Sequence, residues 1–118
     1  MDARPLTPLS FQILVALADG PKHGYAILKE IEEASGGGSF STSTGTLYLA
    51  IQRLEQGGLL ELSSGDSRRR YYTLTVEGRE VAAAEARRLA SLLGVARGKK
   101  LVGSRQLEGL LKASARKQ

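Results

Sequence analysis

The chain has 118 residues, 42% apolar and 25% charged, with a net charge of +5; that is enough for one domain with a modest core and not for two. It has no cysteine and a single histidine, His23, which excludes disulfide frameworks and thiolate metal sites and argues against a multi-histidine metal centre. No apolar run approaches the ~20 residues of a membrane span, and Met1 to Ser10 lacks an apolar signal core, so a cytoplasmic protein is expected.

The first periodic segment runs from Thr7 to Ala18. Thr7 is a candidate N-cap, and Pro8 sits at the first helical position, where its missing N–H costs little. Leu9, Ile13, Leu14 and Leu17 share one helical face, and Asp19-Gly20-Pro21 stops the helix. A second helix is expected from about His23 to Ser35, with Ile27, Leu28, Ile31 and Ala34 as its apolar stripe and Gly36 as a left-handed C-terminal cap. The third begins near Ser43, places Leu47, Ile51 and Leu54 at i, i+4 and i+7, and ends at Gly57-Gly58. Leu59 to Ser63 reads as a strand with Leu60 and Leu62 on one face. Ser64 to Ser67 is turn chemistry, and Arg70 to Leu74 is the returning strand, with Tyr72 and Leu74 on one face; together they make a hairpin. Thr75 can cap a fourth helix, alanine-rich from Val81 to Ala96. Gly94, Gly98 and Gly103 weaken helical order. For the residues after it, Leu107, Leu110 and Leu111 hint at a short amphipathic helix, and a frayed or disordered tail is the alternative.

The expected fold class is therefore mainly α with a small β-hairpin. Helix, helix, helix, hairpin, helix is the layout of a winged helix-turn-helix with an added C-terminal helix. The expected division is residues 1–75 for the winged unit, 76–97 for a dimerisation helix and 98–118 for a basic tail, disordered in part. Charge is unevenly spread: residues 1–67 hold four basic and eight acidic side chains, residues 68–118 thirteen and four. A basic excess of this kind favours polyanion partners, although a solvated tail would carry it equally.

Four stretches, in this order, resemble the PadR-like family of transcriptional regulators. They are Leu6 to Leu9 with Ala18 to Pro21; His23-Gly24-Tyr25; Ser43 to Tyr48 with Leu54-Glu55 and Gly58-Leu59; and Arg69 to Thr75 with Gly78. The resemblance spans about residues 6–95 and looks like the shorter subtype, with a single helix after the wing. It implies a homodimer that binds double-stranded DNA at a pseudo-palindromic operator, usually as a repressor. Some members of the family also bind a small-molecule effector at the dimer interface.

The residues themselves support a DNA-reading helix. At about 100° per residue, Leu47, Ile51 and Leu54 cluster on one side of the third helix. Gly45, Leu49 and Gln52 point to the opposite side; Tyr48 and Arg53 flank them, with Thr46 beside Arg53. Gly45 permits close approach to a phosphate, and Ser43, Thr44 and the free N–H groups there can donate to phosphate oxygens. Gln52 and Arg53 are the candidates for base edges, because amide and guanidinium groups bond bidentately to purines. At the hairpin tip, Arg68 and Arg69 can track a phosphate backbone or enter a narrow minor groove. The alternatives are a solvated helix face and a solubilising charged edge. His23 reads as structural, an imidazole near a helix cap.

Leu89, Leu92 and Leu93 on the fourth helix would form an apolar patch that monomers avoid; the same helix of a second copy would cover it with two-fold symmetry. No nucleophile–base pair or metal constellation appears, so neither an enzyme nor a cofactor is expected. The partners expected are double-stranded DNA, a second copy of the chain and, as in some members of the family, a small-molecule effector, with no membrane. The competing reading is a winged-helix module for protein–protein contact, which the acidic balance of residues 1–67 makes credible.

Overall fold

Helix starts in this chain are set by local caps. Thr7 Oγ1 accepts from the Ser10 N–H at 3.1 Å, and Pro8 opens helix α1, Pro8–Ala16. A 3-10 turn, Leu17–Asp19, follows, and Gly20 at φ 146° turns the chain out of it, a conformation that favours glycine. The computed structural model describes residues 6–34, 42–65 and 70–115. The expected glycine cap at Gly36 and the wing tip with Arg68 and Arg69 lie outside them.

Lys22–His23 forms a two-residue strand, β1, and helix α2 runs Gly24–Ala34. Ser43 caps α3, Thr44–Gln56. Strands β2, Leu60–Gly65, and β3, Arg70–Leu74, pair antiparallel as the wing. A bulge between Leu62 and Ser64 shifts their register. Leu60 is buried and Leu62 half exposed, because the wing outruns the core. The sheet is also larger than a hairpin. β1 pairs with the free edge of β3, Lys22 opposite Tyr72 and His23 opposite Tyr71, giving the order β1-β3-β2.

One core joins these elements. Ile13, Leu14 and Leu17 from the first helix and its turn meet Ile27 and Ile31 of α2, Leu47 and Ile51 of α3, Leu60 of β2 and Tyr72 of β3. Such burial supplies ~1.5–3 kcal/mol per large aliphatic side chain before entropy is counted. The Lys22 ammonium ties the turn to α2: it donates to the Ala16 carbonyl and the Asp19 carboxylate and lies 3.4 Å from Glu30.

Helix α4 runs Val76–Gly98, starting earlier than its alanine-rich stretch, with Gly94 inside it. Its start is welded to the wing. Thr75 Oγ1 accepts from the Gly78 N–H at 2.9 Å and donates to the Gly58 carbonyl at 2.7 Å, and the Thr75 N–H donates to the Leu59 carbonyl at 3.2 Å. Arg79 reaches the Ala18 carbonyl at 3.0 Å. The end of α4 is a Schellman-type closure: Lys100 N–H bonds to the Arg97 carbonyl and Leu101 N–H to the Ala96 carbonyl, both at 3.0 Å. The left-handed position falls on Lys100, φ 65°, not on a glycine.

A second helix then follows the wing: α5, Ser104–Ala115. Of the two alternatives for these residues, the amphipathic helix is the one that forms, and the expected single C-terminal helix is instead a pair. The chain divides into two compact units, residues 1–85 and 86–118, and α4 begins in the first and ends in the second. No helix among the described residues is long and apolar enough to cross a membrane.

Candidate nucleic-acid interface

The reading helix is built from its cap. The Ser43 hydroxyl accepts from the Thr46 N–H at 3.1 Å and donates to Thr46 Oγ1 at 2.8 Å. Its proton is therefore used inside the cap. The outward donors at this end are the Thr46 hydroxyl and the N–H groups of Thr44 and Gly45, which precede the first intrahelical bond. Nothing lies within 4 Å of where a Gly45 side chain would begin, so the fold itself does not require glycine there.

Along α3, Leu47, Ile51 and Leu54 are buried, while Thr44, Gly45, Thr46, Tyr48, Leu49, Gln52 and Arg53 are exposed. The 3.6-residue period thus separates a face in the core from a slender polar one. That outer face has the width and chemistry to enter a major groove, with an amide and a guanidinium available for base edges.

Tyr48 has a further contact that periodicity could not supply. A Cβ added at buried Gly24 would sit 2.3 Å from the Tyr48 hydroxyl oxygen and 2.5 Å from its ring. The Tyr48 ring therefore lies across the start of α2, directly against Gly24, and would have to turn away to admit a side chain there. Beside it, His23 Nδ1 accepts from the Ala26 N–H at 3.3 Å and caps α2. The His23 ring lies parallel to that of Tyr25 at 6.5 Å and edge-on to Tyr71 at 5.6 Å, and the Lys29 ammonium sits 5.9 Å from the Tyr25 ring centre. Sequence reasoning misses this aromatic and basic cluster. The signal it leaves in the chain is His23-Gly24-Tyr25, whose meaning depends on residues brought in by α3 and β3.

The wing contributes Arg70, exposed on β3. Leu89, Leu92 and Leu93 are exposed on α4, Leu92 by 57%. A shallow apolar groove of about 120 Å³ lies between α1 and α2, lined by Phe11, Gln12, Val15, Glu30, Ile31 and Ala34. The hydrogen bond from Lys22, aided by its charge, holds the exposed Asp19 carboxyl below the usual range.

Residues 13–84 match the model of the transcriptional regulator PadR-like family. An uncharacterized 37.1 kDa protein in transposon Tn4556 of Streptomyces fradiae is 44% identical over 82 residues, 70% of this chain and 23% of that protein; the chain spans about a quarter of the length of this curated relative. The structure of H. salinarum RosR matches with a TM-score of 0.65 at 29% identity, over 98% of this chain and 96% of that one. A PadR family transcription regulator from Clostridium difficile R20291 matches with a TM-score of 0.70 at 25% identity, over 81% and 100%.

Proposed function

The chain belongs to the transcriptional regulator PadR-like family, and on that premise we propose that it binds DNA sequence-specifically as a homodimer and represses transcription at a pseudo-palindromic operator. It acts as a regulator and not as an enzyme. The observation that carries this reading is α3: a capped helix with its apolar side in the core and Gln52 and Arg53 exposed opposite. Gln52 and Arg53 select the bases. Thr44, Gly45, Thr46, Tyr48 and the Ser43 turn position the helix on phosphates, and Arg68 and Arg69 add wing contacts. Two copies pair through Leu89, Leu92 and Leu93. A small-molecule effector is not assigned to the α1–α2 groove, because its volume of about 120 Å³ falls well short of the roughly 300–1,000 Å³ of ligand pockets.

The test is selection of bound fragments from genomic DNA, then titration of operator and scrambled duplexes at one salt concentration. Gln52→Ala and Arg53→Ala should each lose about 1–3 kcal/mol more on the operator than on the scrambled duplex. Equal losses on both would remove these residues from sequence reading. The acidic balance of residues 1–67 favours a second reading, a protein–protein module, which predicts that no fragment is enriched.

A further inference from the structure

Residues 86–118 carry nine basic side chains and one acidic one, a balance of +8, whereas residues 1–85 carry eight and eleven, a balance of −3. The charge division coincides with the structural one, since the boundary between the two compact units falls between Glu85 and Ala86. The unit that holds α1–α3 and the wing is therefore net acidic, although it bears the groups assigned to reading DNA. A net negative body is repelled by a polyanion at long range, and exposed charges act mainly within a Debye length of ~8 Å at physiological salt. The cations that release counterions from DNA and draw the protein to it are concentrated in the second unit.

Their setting suits that task. Arg87, Arg97, Lys99, Lys100, Arg105 and Lys112 are all exposed, and none joins an ion pair among the described residues. Arg105 and Lys112 stand two turns apart on one face of α5, roughly 10 Å along the axis. Leu107, Leu110 and Leu111 occupy the other face. The unit contains no aromatic residue. It thus lacks the stacking platforms that hold single strands and the aromatic anchors of helices that lie in membrane surfaces. Unpaired cations without stacking groups match the phosphates of a duplex.

We infer that residues 86–118 form a second DNA-contacting surface, one that binds duplex phosphates without reading sequence. The inference rests on the DNA-binding reading above and adds to it a division of labour: α3 chooses the site, and the C-terminal unit supplies most of the salt-dependent affinity.

The experiment uses the full chain with Lys99, Lys100, Arg105 and Lys112 all changed to Gln. A second variant keeps the charge: Lys99→Arg, Lys100→Arg, Arg105→Lys and Lys112→Arg. Both are titrated against operator and scrambled duplexes from about 50 to 200 mM salt, with circular dichroism to verify helicity. The slope of log K against log salt should fall for the neutral variant by about 0.9 for each phosphate no longer neutralised. It should fall equally on both duplexes, with the operator preference kept, and the charge-preserving variant should match the wild type. A wild-type protein that binds DNA and a neutral variant with an unchanged slope would overturn this inference alone. A wild-type protein that binds neither duplex at any salt would overturn the DNA-binding reading and the inference together. Binding to vesicles of phosphatidylserine and phosphatidylcholine but not to DNA would overturn it in favour of a membrane surface.

Discussion

Replacing Gly78 with Ala should destabilise the protein even though it swaps a poor helix former for the best one. Gly78 lies in the first turn of α4 and is buried. A Cβ there would stand 1.8 Å from the Leu59 carbonyl oxygen, 2.8 Å from its carbon and 2.9 Å from Leu74 Cδ1. Ordinary contact begins near 3.4 Å, so the oxygen must retreat by about 1.6 Å. That oxygen belongs to the backbone and accepts from the Thr75 N–H, so no side-chain rotation relieves the clash. Overpacking costs ~1–3 kcal/mol, here at the upper end because backbone must move. The strained Thr75–Leu59 hydrogen bond adds ~1 kcal/mol, and helix propensity returns ~1 kcal/mol. The net loss is about 3 kcal/mol, or roughly 12–24 °C in Tm at 4–8 °C per kcal/mol for a domain of this size. Urea and thermal unfolding followed by circular dichroism measure it. A Gly78→Ala protein as stable as the wild type, or more so, would refute the close-approach argument, because that is what propensity alone requires.

Gly45→Ala should do the reverse: thermal stability holds or rises, because the site is open, while affinity for operator and scrambled DNA drops together; unchanged affinity would mean that no phosphate comes close to Gly45. Leu89→Asp with Leu93→Asp should yield monomers by light scattering and weaken operator binding most at low protein concentration, and a persistent dimer would remove α4 from the interface. Asp19→Asn tests the Lys22 tie. The folded-state pKa of Asp19 is lowered, so its contribution is fully present above the unfolded value near pH 4 and fades as pH falls through the folded one. The stability gap between wild type and variant, small for so exposed a carboxylate, should therefore narrow as pH falls from neutral towards the folded-state pKa; a gap that stays constant would mean that the carboxylate charge is irrelevant.

The local devices are legible in the chain itself. Thr7, Ser43 and Thr75 cap helices because a short hydroxyl side chain can reach an N–H two or three residues ahead, and that relation lies wholly within a few consecutive residues. The period of Leu47, Ile51 and Leu54 likewise turns Gln52 and Arg53 outward, since 3.6 residues per turn leaves little choice once one face is apolar. Strand β1 cannot be read this way: two residues carry no period, and Lys22–His23 becomes a strand only because β3 offers a free edge.

The same holds for the glycines and the tail. Gly24 and Gly78 both stand in the sequence as motif members, but what crowds a side chain there is the movable Tyr48 ring in one case and the fixed Leu59 carbonyl in the other. Lys100 takes the left-handed position at the end of α4 that Gly98 would suit better, because the closure is set by which carbonyls remain unpaired when the helix stops, not by the nearest glycine. Residues 104–115 could be helix or tail by periodicity alone; α5 is the outcome in the structure. Composition and spacing therefore determined helices α1–α4, the wing and the outward face of α3, where each residue answers to its chain neighbours. Contacts between residues far apart in sequence decided the third strand, the crowding at the two glycines and the weld between wing and α4, because a steric or hydrogen-bonding demand exists only once the fold has brought both partners together.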